Sequence, residues 1–178
     1  SPPILLGRSS NNDPILLDFR HWFSMSSFDS GWVEIQLPDE AWIQVSPGFV
    51  GGSGGWTRYQ VDLTAYAGLA VRLGFHFVSR GSFNVSSGWY VDGIDIQSRP
   101  YEFVPHETFE EGERDWIATG GVWQIGTHTG PGPGSAYEGS VCAGTVISGN
   151  YPDVSDARLV SPPILLGRSS NNDPILLD

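Results

Sequence analysis

"LAVRLGFHFVS" occupies residues 69–79 and alternates with a period of two. Val71, Leu73, Phe75 and Phe77 share one face, and Arg72, Gly74, His76 and Val78 share the other. Successive side chains of a β-strand point to opposite sides, so one strand with a buried face and a wet face accounts for the spacing. A helix repeats every 3.6 residues and would spread the same apolar residues around its axis.

The pattern recurs on both sides of this stretch. "ILLDFRHW" (15–22), "GWVEIQL" (31–37), "AWIQV" (41–45), "RYQVDL" (58–63) and "GWYVDGIDIQ" (88–97) read as strands. So do "DWIA" (115–118), "GVWQIG" (121–126), "SVCAGTVI" (140–147) and "ARLVSPPILL" (157–166). Turn-forming clusters separate them: "PDE" (38–40), "GGSGG" (51–55), "TGG" (119–121) and "GPGPG" (130–134). "LTAYAG" (63–68) is the one short helical bridge. Many short strands at near-regular spacing predict an all-β fold, an antiparallel β-sandwich of jelly-roll type.

Residues 1–18, "SPPILLGRSSNNDPILLD", recur letter for letter at 161–178, a period of 160 residues. A period of domain length marks a tandem array. Proline cannot donate to a ladder, so Pro2 and Pro3 place this segment at a sheet edge, with pairing from Ile4 onward. A sandwich has one place for a given strand, and two identical segments compete for it. The apolar positions that would be exchanged between copies are Ile4, Leu5, Leu6, Ile15, Leu16 and Leu17. Their equivalents are Ile164, Leu165, Leu166, Ile175, Leu176 and Leu177.

The formal net charge is −11, and all nine basic residues are arginine. An acidic surface argues against nucleic acid and anionic membranes as partners. No apolar run approaches the roughly 18 residues of a membrane span. The single cysteine, Cys142, forms no disulfide within a repeat; its apolar setting predicts a small core residue, and a cross-link between copies is the other reading.

Catalytic signals are weak. Gly51–Gly55 matches G-x-S-x-G in letters, but a strand follows where the nucleophile elbow needs a helix. His21, His76, His106 and His128 are scattered and show no metal-binding spacing. The chain is therefore read as non-enzymatic. Seven tryptophans raise the question of sugar stacking, and Trp56, after the glycine turn, is the candidate ligand-binding residue. The others are read as core.

"DARLVSPPI" (156–164), "LDFRHW" (17–22), "GGWTRYQVDLTAYAG" (54–68) and "GWYVDGIDI" (88–96) line up with a known pattern. "FEEGERDWIATGGVWQIG" (109–126) resembles the start of such a domain. Together they resemble the bacterial extracellular jelly rolls related to MAM domains. That group includes choice-of-anchor J domains and the domains beside immune inhibitor A-type metalloproteases. The resemblance implies a permuted frame. Residues 1–100 form the back part of one repeat and 101–178 the front part of the next. It also implies a structural Ca²⁺ tying first strand to last, at Glu110 and Glu111 with Asp92 or Asp95. Solvated turn carboxylates are the other reading of these residues.

These readings converge on an extracellular or cell-surface protein. The first expectation is a structural tandem repeat or filament subunit, with neighbouring copies of itself as partners through strand complementation. The alternative is an accessory module of a secreted hydrolase or protease that binds glycans or protein.

Overall fold

Pairing in the N-terminal segment begins at Ile4, directly after the two prolines, and places it on an edge. A computed structural model of the chain describes residues 1–7, 13–80, 85–100 and 106–164. Strand β1 (Ile4–Leu5) lies antiparallel to β6 (Ala70–Val78), Ile4 opposite Val71. The first sheet continues through β3 (Ser30–Gln36) to β4 (Trp42–Gln44), in the order β1-β6-β3-β4. The second sheet has β2 (Ile15–Ser24) at its centre, between β5 (Thr57–Asp62) and β7 (Gly88–Ser98). All pairs in both sheets are antiparallel. The chain changes sheet at every connection except β3 to β4, as a jelly roll requires.

The two sheets face each other across one core. Leu17 and Phe19 of β2 meet Val33 and Ile35 of β3 and Val71 and Leu73 of β6, all essentially buried. Phe19 stands edge-on to Phe75, with centroids 5.1 Å apart. Gly31 faces inward because a ring needs its place. A Cβ there would lie 2.5 Å from the Trp89 indole. Phe77 shares the parity of Val71 and Leu73 yet is 44% exposed. Thr64–Tyr66 form the expected short helical bridge, as a single 3₁₀ turn.

The remaining described strands form two small ribbons. β8 (Ile117–Ala118) pairs with β11 (Leu159–Val160), and β9 (Trp123–Gly126) with β10 (Cys142–Thr145). Residues 106–164 fold back on the sandwich of the same chain, with β8 against β5. Their contact with the 51–55 loop requires glycine. Gly121 has φ +72°, and a Cβ there would collide with the Ser53 carbonyl. Cys142 is half-buried on β10, with no disulfide.

The N-terminal copy of the repeated segment supplies both β1 and the start of β2, one strand to each sheet. Leu6, Ile15, Leu16 and Leu17 are buried, Ile4 is half-buried against the core, and Leu5 points outward. In the second copy Ile164 is exposed. Leu165, Leu166, Ile175, Leu176 and Leu177 lie outside the described residues.

Candidate functional site

The outer face of the β5-β2-β7 sheet is charged toward one end and aromatic toward the other. Strand parity sets this. Phe19, His21 and Phe23 of β2 point into the core, so Asp18, Arg20 and Trp22 point out. Asp18 lies opposite Gln60 of β5 and Asp95 of β7, and Arg20 lies opposite Arg58 and Asp92. A register shift between Asp18 and Arg20 sets two residues of β7, Gly93 and Ile94, against one of β2, Phe19. The shift is a bulge at Gly93, φ +58°, and it brings Asp92 and Asp95 to the same face. It also upsets the simple alternation expected here. Ile96 packs on the core, whereas Ile94 is exposed.

Residues 113–115 cover the charged end. Asp18 accepts from Arg58 Nε at 2.8 and 3.0 Å and from Gln60 Nε2 at 2.8 Å. Asp115 is 2% exposed and accepts from Arg99 at 2.7 Å, with Arg58 3.8 Å away. Glu113 pairs with Arg20 in a more exposed contact. Burial and the neighbouring Arg58 both hold the Arg20 pKa below its ordinary value, while Asp18 opposes them.

The aromatic end is uncovered. Trp22 lies opposite Tyr90 across the β2–β7 ladder, with ring centroids 5.6 Å apart in a T-shaped arrangement. Trp56 stands where the 51–55 turn enters β5, and it is 56% exposed; Tyr90 is 53% exposed. With Gly55 and Ser87 these rings line a shallow open groove of about 510 Å³. Among the described residues, no charged side chain lines it. Beside it the Ser24 and Ser86 hydroxyls hydrogen-bond at 2.6 Å. The sequence alone points to Trp56. It assigns Trp22 to the core, although parity with Asp18 and Arg20 already places that ring outside. Tyr90 joins through strand register, which local pattern does not reveal.

The other tryptophans have different roles. Trp89 packs on the core and donates from Nε1 to His21 Nδ1 at 3.3 Å. Trp32 lies 4.5 Å from the His76 ring, and Trp116 lies edge-on to Phe109. Trp42 is an exposed residue of the edge strand β4, and Trp123 is half-buried on β9.

His21 is enclosed by Phe19, Phe23, Phe49, Tyr59 and Trp89. Burial lowers its pKa from 6.5 to about 4, so it is neutral near pH 7. Ser53 is buried, and its hydroxyl meets the Phe23 backbone, accepting from the N–H at 3.0 Å and donating to the carbonyl at 3.3 Å. It latches the glycine turn to β2.

The acidic residues singled out for calcium are engaged locally. Glu110 accepts from the Ser140 and Val141 N–H groups, both at 2.7 Å, and these bonds lower its pKa, Val141 first. Glu111 pairs with Arg114 at 2.6 Å. Asp92 accepts from the Gly93 N–H, and Asp95 from the Ile96 N–H and Gln97 Nε2, each at 2.8 Å. Among the described residues no three His, Cys, Asp or Glu side chains gather where they could hold a metal ion. Glu110 and Glu111 are thus not brought together with Asp92 and Asp95 in one ligand set.

Among known proteins, Bacillopeptidase F of Bacillus subtilis (strain 168) is 29% identical to this chain over 101 residues. The match covers 55% of this chain and 7% of that protein. No protein-family profile matches the chain. No solved structure matches it. Among the described residues no helix is long and apolar enough to cross a membrane.

Proposed function

We propose that this chain is a non-catalytic accessory module of an extracellular protein, and that it holds a neutral carbohydrate in the groove formed by Trp22, Trp56 and Tyr90. The observation that carries this reading is the gathering of exposed Trp56 and Tyr90 with half-buried Trp22 in one groove that no charged side chain lines among the described residues. Elsewhere the same face carries charge: the Asp18–Arg58 and Arg20–Glu113 pairs beside residues 113–115, and the exposed Asp92 and Asp95. A pyranose presents a face of C–H groups, which suits aromatic rings, and a rim of hydroxyls. Ser87 and the Tyr90 hydroxyl supply polar partners at the groove's margin. Its volume falls within the roughly 300–1,000 Å³ of small-ligand sites. Partial likeness to a small part of a peptidase supports a module carried beside an enzyme, with the chemistry done elsewhere.

The test is titration with a panel of neutral oligosaccharides, read by tryptophan fluorescence and calorimetry. Trp56→Ala and Tyr90→Ala are each expected to weaken binding about tenfold or more without shifting the melting temperature, since both rings are exposed. Absence of binding across the panel, or binding indifferent to both substitutions, counts against the reading.

The 160-residue period favours a second reading, which is compatible with the first: the module is a structural repeat, used in series to span distance and display several grooves. Linking weak sites in series raises avidity without any new contact.

A further inference from the structure

The segment that completes the sandwich is encoded twice. The described residues that pair with it lie outside both copies. Val71 and Ala70 of β6 receive Ile4 and Leu5, and the 63–69 turn receives Leu6. Leu6 donates its N–H to the Leu69 carbonyl at 2.9 Å and accepts from the Gly68 N–H at 3.1 Å. Ile15 donates to Thr64 Oγ1 at 2.9 Å and accepts from the Leu63 N–H at 2.7 Å. Beyond it β5 and β7 flank Leu16–Asp18. Residues 161–178 present the same eighteen side chains in the same order.

We infer that this slot also receives residues 161–178 of a second copy of the chain, so that molecules join by exchanging the segment. The reading rests on the repeat and on the slot, and is independent of sugar binding. One feature suits the exchange. The Ser1 amino group donates to the Leu73 carbonyl at 2.8 Å, a bond that needs only one N–H. The amide of Ser161, with Val160 before it, supplies that N–H equally well. Swapping an identical element costs little in contacts. The N-terminal copy, continuous with Phe19, has the higher effective concentration and keeps the slot in dilute solution. The incoming copy prevails when the first is disabled or the chain is crowded.

The full chain carrying Leu6→Asp and Leu17→Asp tests this. Both residues are buried, so the altered segment cannot occupy the slot. The expected result is a folded protein that melts within about 5 °C of the unaltered chain and runs as a dimer or longer assembly by light scattering. Adding Leu166→Asp and Leu177→Asp to the same chain is expected to abolish folding. A synthetic peptide of residues 1–18 is expected to restore the fold to that fourfold variant. Failure of the twofold variant to fold, its recovery as a strict monomer at every concentration, or no response to the peptide would overturn the inference.

Discussion

Residues 1–98 and residues 106–164 hold together by different forces. The first region closes two sheets over a core with Phe19, Val33, Ile35 and Leu63 fully buried. The second contributes one buried hydrophobic residue among those described, Val122, and its longest described strand has four residues. It is attached through Asp115, Glu113 and a backbone contact at Gly121. Hydrophobic burial scales with the apolar area removed from water, so the first region holds most of the stability. Ion pairs between regions contribute mainly by avoiding the cost of unpaired buried charge.

Deleting core volume should have the largest effect. Phe19→Ala leaves a cavity between the sheets and is expected to lower global stability by about 3–5 kcal/mol, measured by denaturant unfolding. The interface between regions comes next. Asp115→Ala leaves Arg58 with Asp18 and removes a buried carboxylate that accepts from the part-exposed Arg99, at a cost of about 1–2 kcal/mol. That loss should appear as proteolytic nicking within 106–164, with the 1–98 sheets retained. Glu113→Gln alters a pair whose side chains are 43% and 29% exposed, and should cost under about 1 kcal/mol. If both substitutions loosen 106–164 equally, burial is not what separates the two pairs.

The pH dependence probes the sandwich alone. The folded His21 pKa, about 4, lies below its ordinary 6.5, so the unfolded chain takes up the proton more readily. Stability from this residue is complete above pH 6.5 and is lost as pH falls toward 4, with about 2 kcal/mol gone by pH 5. Unfolding free energies measured between pH 7.5 and 5 should show this slope, and His21→Phe should flatten it. A slope unchanged by the substitution would place the titration elsewhere.

Much of the first region is readable from the sequence, because its strands alternate cleanly. "LAVRLGFHFVS" forms β6, and Pro2–Pro3 mark an edge strand starting at Ile4. The bulge at Gly93 is not readable. It moves Ile94 to the surface through a backbone irregularity that side-chain parity does not record. The groove is half readable. Trp56 follows a glycine turn, and Trp22 has the parity of its charged neighbours, but only the pairing of β2 with β7 sets Tyr90 beside it. The charged end is hidden for the same reason: Asp18, Arg58 and Asp115 are far apart in sequence and meet only through tertiary structure.

Native-state hydrogen exchange tests the contrast between the regions most directly. The amides of β2, β3 and β6 should exchange only through global unfolding, while those of β8 to β11 exchange through a lower-energy opening that Asp115→Ala makes easier. Uniform protection across both regions, with the substitution affecting all amides alike, would contradict a core confined to the first 98 residues.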